Sequence, residues 1–404
     1  MKNLMIAQSG GPTAAINATM VGVLQRALTS GRIDKIYGSL HGIKGLLNDD
    51  VIEIGSLFAN PQNMTLLCGT PSAALGSCRY KLGDDPAVLK KIADKLVEFN
   101  IGYFIYIGGN DSMDTVLKLS KYFAANNLDY IKIMGAPKTI DNDLCVTDHT
   151  PGFGTAAKYI AVTIAELLCD IRVYDTPNVM VCEIMGRNAG WLTCAASLAK
   201  LGGMGAPDLI YIPEVAFCEE QFIEDVKEKL EQNHFVLACV SEGIRDSDGK
   251  LVCERTGEKT TDAFGHKHLS GVGKYLGNLV REKIGCKTRD IEFSLMQRCS
   301  AHIASATDIE ESRMLGAAAL DRAFNGGSGE MSIIKRLSNH PYQFRIETTP
   351  IENVANKEKT VPLEWLSEKR NNVNQQMLDY LMPLIQGEVH VRYKEGIPEH
   401  IKLY

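Results

Sequence analysis

Residues 101–112 read IGYFIYIGGNDS, an apolar run that ends in two glycines and three polar side chains. The β-branched and aromatic residues at 103–107 predict a buried strand, because such side chains fit a sheet that is covered on both faces. Apolar residues recur with helical spacing at 112–124, directly after the polar end of the run. A buried strand that leads straight into a helix is the unit from which parallel sheets are built.

The end of this strand has the residue types of a turn that binds phosphate and metal. Gly108 and Gly109 allow backbone N–H groups to approach a phosphate closely, and the start of the helix adds a favourable field. Asn110 and Asp111 supply the hard oxygen atoms that Mg²⁺ prefers. The structural alternative is an N-cap cluster, which accounts for Asp111 or Ser112 singly but accounts less well for the two glycines.

Strand and helix patterns alternate along most of the chain. Strands are predicted at 3–8, 102–107, 130–135, 178–184, 209–212, 235–240 and 331–335. Helices are predicted at 14–29, 86–99, 112–124, 154–172, 189–200, 219–232, 269–284 and 304–325. This alternation predicts an α/β fold of mainly parallel sheets with helices on both faces, which we expect as two Rossmann-like, doubly wound domains. The stretch 363–386 predicts a mainly helical tail.

Three further polar segments also follow predicted strands, at 9–13, 137–143 and 185–187. Open α/β sheets bind ligands at the carboxyl ends of their strands, so these segments are expected to converge with 108–112. Asp141 could act as a base, and Arg187 could hold a phosphate with two hydrogen bonds. The alternatives are a tight turn, an exposed acidic turn and a solvated arginine.

Other charged residues are weaker candidates when each is taken alone. Glu242 follows the apolar run at 235–240 and could accept hydrogen bonds from sugar hydroxyls, although an ordinary loop acid is the alternative. Arg289 and Arg298 flank the strand-like residues 290–295, and a lone arginine is more often a solvated surface residue.

Composition excludes several functional classes. The chain of 404 residues has a net charge of −6, which argues against a general nucleic-acid binder. No apolar stretch approaches the roughly 20 residues that a membrane helix needs, so no membrane partner is expected. The 11 cysteines are odd in number and contain no C-x-x-C pair. They indicate reduced thiols and a cytoplasmic location.

Three motifs imitate functional sites and are given structural interpretations. Residues 152–157 match G-x-G-x-x-A, but no strand leads into them, so a helix start is expected. Residues 246–249 resemble part of a calcium loop without its final glutamate, so a turn is expected. His266 and His268 could ligate a metal, but no third ligand is evident.

Taken in order, these segments resemble the phosphofructokinase family. The resemblance covers roughly residues 1–335 and is carried by Ser9-Gly10-Gly11, Gly76-Ser77-Cys78-Arg79, Gly108–Ser112, Thr139-Ile140-Asp141-Asn142-Asp143, Met185-Gly186-Arg187, Glu242, and the pair Arg289 and Arg298. The reaction that it implies is phosphorylation of the 1-hydroxyl of fructose 6-phosphate to fructose 1,6-bisphosphate.

The resemblance also implies a role for each matching residue. Residues expected to act on the transferring group are Asp141 as the base, with Lys138, Asp111, Arg79 and Arg187. Residues expected at the phosphoryl donor are Gly10, Gly11, Gly109 and Ser112. Residues expected at the sugar phosphate are Thr139, Asp141, Met185, Gly186, Arg187, Glu242, Arg298 and, from a partner subunit, Arg289. The expected cofactor is Mg²⁺, held by Asn110 and Asp143.

Two positions bear on the phosphoryl donor. ATP-using members of the family have glycine where this chain has Asp111 and Lys138, and pyrophosphate-using members resemble this chain at both places. The resemblance therefore implies pyrophosphate as the donor. An ATP-dependent 6-phosphofructokinase that tolerates Asp111 is the alternative, and a regulatory subunit without catalytic activity is a remote one.

The resemblance finally implies a division of the chain and an assembly. Residues 1–145 with part of 265–330 would form the donor domain, and 146–260 with part of 285–345 would form the sugar-phosphate domain. Residues 346–404 would form a mainly helical C-terminal extension. A homodimer or homotetramer is expected, with small-molecule substrates as the other partners.

Overall fold

The computed structural model describes residues 1–256 and 270–404, and strands and helices alternate through most of them. The N-terminal elements are β1 Lys2–Gln8, α1 Ile16–Ser30, β2 Ile33–Ser39, α2 Ile43–Asn48, β3 Val51–Glu53, α3 Gly55–Phe58, α4 Pro61–Gly69, α5 Pro86–Glu98, β4 Ile101–Gly108, α6 Asn110–Ala125 and β5 Lys132–Pro137. The middle elements are α7 Phe153–Ile171, β6 Asn178–Ile184, α8 Trp191–Ala195, β7 Leu209–Tyr211, α9 Glu219–Gln232 and β8 Phe235–Ser241. The C-terminal elements are α10 Val272–Ile284, β9 Lys287–Glu292, α11 Met296–Cys299, α12 Ala306–Phe324, β10 Glu330–Asn339, β11 Tyr342–Pro350, α13 Gln375–Leu381, β12 Tyr393–Lys394 and β13 Ile397–Pro398.

Two main sheets organise the described residues. The larger sheet has the order β11-β10-β5-β4-β1-β2-β3, with parallel pairing from β10 to β2 and an antiparallel strand at each edge. The smaller sheet has the order β7-β8-β6-β9 and is parallel throughout. Buried apolar clusters cover both faces of each sheet, as parallel sheets require.

This architecture confirms the predicted α/β class with mainly parallel sheets. The predicted strands and helices exist, most of them with ends within a few residues of the expected ones. The strand-like stretch at 290–295 lies earlier, at β9, so Arg289 is inside the strand. The helix expected at 189–200 is the short α8 followed by 3₁₀ turns at Ala196–Gly202. Strand β2 and the short edge strand β3 were not predicted.

The expectation of a mainly helical segment at 346–404 needs correction. Its regular helix is limited to α13, with 3₁₀ turns at Ile351–Asn353, Leu363–Trp365 and Met382–Ile385. Prolines interrupt the backbone hydrogen bonding of a helix, and they occur here at 350, 362, 383 and 398. Residues up to 350 belong to β11 of the larger sheet.

Helices α1 and α12 cross at two glycines. A Cβ on Gly22 would overlap the Arg313 carbonyl, and a Cβ on Gly316 would overlap the Thr19 carbonyl. The two backbones can therefore approach only because neither position carries a side chain. This contact fixes α12 against the larger sheet, which α12 also touches at β5 and β10.

A buried chain of charges lies behind the segment between β5 and α7. Asp148 Oδ2 accepts hydrogen bonds from Arg336 Nε at 3.0 Å and from His149 Nδ1 at 2.7 Å. His149 Nε2 lies 2.6 Å from Glu311 Oε2, and the Tyr342 hydroxyl donates to Glu311 Oε1 at 2.5 Å. Two acids and two bases thus alternate, which ties the segment to α12, β10 and β11 without leaving a net charge in the interior.

The titration of His149 reflects this pairing. Burial alone would lower its pKa, but the charge of Glu311 and the hydrogen bonds with Asp148 and Glu311 outweigh burial and raise the pKa to about 9. Burial would raise the pKa of Asp148, but the hydrogen bonds and positive charges of His149 and Arg336 outweigh burial and lower it to about 2. His149 is therefore a cation in the folded protein at neutral pH.

Gly316→Ala is expected to destabilise the fold. The added methyl must push α1 away from α12, and overpacking of this kind costs about 1–3 kcal/mol. Gly69→Ala is the matched control, because it also lies in a helix and its Cβ would meet nothing within 4 Å. Urea unfolding should show a lower midpoint for Gly316→Ala alone. Equal midpoints for the two variants would contradict the close crossing.

His149→Gln is expected to flatten the dependence of stability on pH. The folded-state pKa of about 9 lies above the usual 6.5, so the stabilisation is fully present below pH 6.5 and is lost as the pH rises to 9. Its size is on the order of 3 kcal/mol. Unfolding by urea at pH 6, 7.5 and 9 should bring the wild type and the variant closer together as the pH rises. Parallel curves would show that His149 is not charged in the folded state.

Candidate active site

The loops that follow five parallel strands meet between the two sheets. The larger sheet contributes the ends of β1, β4 and β5, and the smaller sheet contributes the ends of β6 and β8. They line two adjoining cavities of about 270 Å³ and about 670 Å³. The strand-end convergence that the sequence predicts is therefore present.

Nearly all of the predicted site residues line these cavities. Those at the first cavity are Gly10, Gly11, Arg79, Asp111, Ser112, Lys138, Thr139, Asp141, Met185, Arg187, Glu242 and Arg298. Gly109, Asn110 and Asp143 line the second cavity, which shares eight residues with the first. Gly186 lies beside them, where its N–H points to Glu242 Oε1 at 3.5 Å.

Arg289 is not brought to this site. It lies on β9 at the surface, where its guanidinium donates to Asp170 Oδ2 at 2.8 Å and to the Tyr174 hydroxyl at 3.2 Å. Neither cavity of its own chain includes it. Its expected contribution to a partner subunit stays a prediction.

The turn at 108–112 is built by close contacts. A Cβ on Gly108 would overlap the side chain of Ser112, whose hydroxyl lies 2.5 Å from the Ser9 hydroxyl. This contact joins the ends of β1 and β4. Gly109 is the N-cap of α6, so Asp111 stands in the first helical turn, where a carboxylate interacts favourably with the helix dipole.

Lys138 is a buried cation at the floor of the site. Its ammonium donates to the Gly11 carbonyl at 2.5 Å, and the residue is only 2% exposed. Burial lowers its pKa to about 8, although the negative charges of Asp141 and Asp143 act in the opposite direction. The cation therefore faces the cavity next to the glycine turn after β1.

The acids of the site are destabilised as anions. Desolvation raises the pKa of Asp141, although Lys138 and Arg187 lower it. Burial and the charge of Asp141 raise the pKa of Asp143 to about 7, and they raise that of Glu242 to about 8. Carboxylates in such surroundings are stronger bases than exposed ones, which suits proton abstraction.

The guanidinium groups of Arg79 and Arg298 both line the first cavity. Arg298 is half-buried, and its pKa is lowered first by burial and then by the positive charge of Arg79. Two cations near each other favour an anionic ligand between them. Gln297, which the sequence analysis did not single out, accepts a hydrogen bond from the Met185 N–H at 3.2 Å and so fixes the turn after β6.

Residues far along the chain also line the second cavity. Asn356 and Glu358, from the irregular segment after β11, face it together with Asn188. The side-chain amide of Asn110 is hydrogen-bonded to this segment, accepting from the Asn356 N–H at 2.6 Å and donating to the Lys357 carbonyl at 2.7 Å. No motif in the sequence marks these residues, because their partners lie about 245 positions away.

Two of the three motifs that imitate functional sites, at 152–157 and 246–249, have the structural roles expected of them. Gly152, at φ 98°, precedes α7 as a helix start. Residues 246–249 form a turn in which Asp246 Oδ1 accepts from the N–H groups of Asp248 and Lys250. His266 and His268 lie outside the described residues.

The cysteines and the helices of the described ranges also bear on the expectations drawn from composition. All 11 cysteines fall within them, and none of the 11 forms a disulfide there. Among the helices described, none has the length and apolar character to cross a membrane.

Comparison with known proteins agrees with this geometry. A family model described as phosphofructokinase matches residues 3–323. The pyrophosphate–fructose 6-phosphate 1-phosphotransferase of Xanthomonas campestris is 39% identical and covers 99% of this chain and 96% of its own length. The enzyme of the same name from Methylococcus capsulatus is also 39% identical, over 100% of this chain and 96% of its own.

A solved structure is similar over the same extent. The crystal structure of a pyrophosphate-dependent phosphofructokinase from Nitrosospira multiformis has a TM-score of 0.89 and 36% sequence identity. The match covers 99% of this chain and 96% of that one. With the converging strand-end loops, these similarities show that the chain belongs to the phosphofructokinase family.

Proposed function

We propose that the protein transfers a phosphoryl group from inorganic pyrophosphate to the 1-hydroxyl of fructose 6-phosphate, giving fructose 1,6-bisphosphate and phosphate. The names of the full-length relatives support this reaction. The observation that carries the choice of donor is that Asp111 and Lys138 both line both cavities, beside the turn of Gly10 and Gly11. The reaction breaks the anhydride bond of pyrophosphate and forms one phosphate ester, and it runs in the directions of both glycolysis and gluconeogenesis.

Asp141 is the proposed base. Its carboxylate takes the proton of the sugar 1-hydroxyl while that oxygen attacks one phosphorus of pyrophosphate. The bond between this phosphorus and the bridging oxygen breaks, and its electrons leave with the departing phosphate. Lys138 stands where it can stabilise that leaving charge, and the raised pKa of Asp141 makes its carboxylate the stronger base that this step needs.

Asp111 is the proposed barrier to a nucleotide. A carboxylate in the first turn of α6 repels a further phosphate that would extend past the pyrophosphate unit. Two unit charges 4 Å apart interact by about 4 kcal/mol at an effective dielectric constant near 20. A tenfold change in affinity takes only about 1.4 kcal/mol, so this repulsion is large enough to decide the donor.

Mg²⁺ fits the second cavity. Asp143 lines it, and the pKa of Asp143 is raised to about 7 by desolvation and by Asp141, a charge imbalance that a divalent cation would relieve. No group of three or more acidic, histidine or cysteine ligands occurs in the described ranges, which suits a metal that relies on substrate phosphates and water. When bound, Mg²⁺ neutralises charge on the phosphoryl oxygens. Asp143 would hold it. Asn110, the other predicted ligand, uses both polar atoms of its amide on the backbone of Asn356 and Lys357, so we assign the metal to Asp143 alone.

The remaining proposals concern assembly and location. We place the protein in the cytoplasm, as its free thiols suggest, and we propose a homodimer or homotetramer. The surface position of Arg289 on β9 suits a residue that completes the sugar-phosphate site of a neighbouring subunit.

Asp141→Asn is expected to abolish turnover while leaving binding of fructose 6-phosphate. The amide keeps the shape of the side chain but cannot accept the proton, and loss of a general base lowers the rate about 10²–10⁴-fold. Initial rates with pyrophosphate measure the loss, and calorimetry with fructose 6-phosphate measures binding. Wild-type turnover in this variant would show that another group is the base.

The donor preference should depend on Asp111 and Lys138 together. The wild type is expected to use pyrophosphate and to have no measurable rate with ATP. The pair Asp111→Gly and Lys138→Gly should lose pyrophosphate use, because the cation at the leaving phosphate is gone, and should gain a low rate with ATP.

A single variant isolates the effect of the Asp111 charge. Asp111→Asn removes the repulsive charge and retains Lys138, so pyrophosphate turnover should persist. Strong wild-type turnover with ATP and none with pyrophosphate would refute the proposed function. An unchanged donor preference in the double variant would refute only this account of selectivity.

A further inference from the structure

The irregular residues 356–359, here named the strap, touch loops from both sheets at the second cavity. On the side of the larger sheet, the side-chain amide of Asn110 forms two hydrogen bonds with the strap backbone. Its Oδ1 accepts from the Asn356 N–H at 2.6 Å, and its Nδ2 donates to the Lys357 carbonyl at 2.7 Å. On the side of the smaller sheet, Asn188 Nδ2 donates to Glu358 Oε1 at 3.0 Å. One short segment thus spans the opening between the two sheets.

A third anchor lies between these two. The N–H of Lys359 donates to the Asp143 carbonyl at 2.7 Å, and its ammonium donates to the carbonyls of Thr147 and Asp148 at 3.2 and 2.7 Å. Burial lowers the pKa of Lys359 to about 8, against the charges of Asp148 and Asp143. The end of the strap is therefore fixed inside the protein and does not lie loosely on its surface.

The anchors stand next to residues of the proposed reaction. Asn110 precedes Asp111, Asn188 follows Arg187, and the Asp143 carbonyl lies two residues from Asp141. A displacement of about 1 Å between reacting groups can cost about 100-fold in rate, so a link between these three loops bears directly on the chemistry.

We propose that the strap holds the donor loop and the sugar-phosphate loop in register, and that Asn110 and Asn188 are positioning residues that act through it. This inference rests on the proposed function for its kinetic readout. The family model matches residues 3–323, and the strap lies beyond them. The proposal therefore gives a role to part of the C-terminal segment.

A double-variant cycle tests the link. Asn110→Ala frees one side of the strap and Asn188→Ala frees the other. Each is expected to lower kcat by about tenfold or more, with the KM values for pyrophosphate and fructose 6-phosphate within about threefold. The double variant should be no slower than the slower single variant, because releasing either side already breaks the link.

Asn353→Ala is the matched control. Asn353 lies in the same segment and uses its amide on Thr349 Oγ1 at 3.1 Å, away from the site. Its kcat should stay within about twofold of the wild type. Effects of Asn110→Ala and Asn188→Ala that multiply in the double variant would overturn the proposal. A raised Mg²⁺ requirement in Asn110→Ala alone would also overturn it, because that result indicates a direct metal ligand.

Fluorescence tests the strap without any turnover. The two tryptophans of the chain lie beside it, with the Trp191 indole N–H donating to the Lys359 carbonyl at 3.1 Å and with the Trp365 ring 6.0 Å from that of Trp191. Asn110→Ala should shift the emission of the substrate-free protein, and Asn353→Ala should not. An unshifted Asn110→Ala spectrum would overturn the proposal that Asn110 holds the strap. If the wild type has no turnover and Asn110→Ala nevertheless shifts the emission, only the proposed function is overturned.

Discussion

The site holds acids and bases close together without letting them pair, and the rest of the molecule is arranged around this constraint. Among the described residues, no ion pair joins Lys138 or Arg187 to the acids Asp141, Asp143 and Glu242. Burial raises the pKa of each of these acids. Unpaired charges in a half-buried cavity are costly. They are retained where a substrate that brings its own charges completes the pairing.

A layer of paired charges lies directly behind the unpaired ones. The alternation of Arg336, Asp148, His149 and Glu311 leaves no net charge, and Lys359 fills the space between this layer and Asp143. The deep layer can thus be rigid because its charges are paired, while the front layer stays open to ligands. The two layers are joined by the backbone of the segment between β5 and α7.

The sequence predicts the parts of this arrangement that are local. The run at 101–112 combines a buried strand, two glycines and a helix start, and each of these features acts within a few residues. The network of His149 could not be predicted, because its partners Glu311 and Arg336 are ordinary charged residues more than 160 positions away. Strand β2 was missed because its Asp34 and Lys35 interrupt the apolar pattern.

The same distinction explains why the C-terminal segment was expected to be mainly helical. Its apolar residues at 377–385 do have helical spacing, and they form α13 and the turn after it. The strap lies outside that pattern for a physical reason. A helix would bond these N–H and C=O groups internally and a strand would bond them to a neighbouring strand, whereas the irregular backbone at 356, 357 and 359 leaves them available to Asn110 and Asp143. Irregular backbone is therefore what allows this segment to join the two halves of the site, and a search for regular periodicity cannot find it.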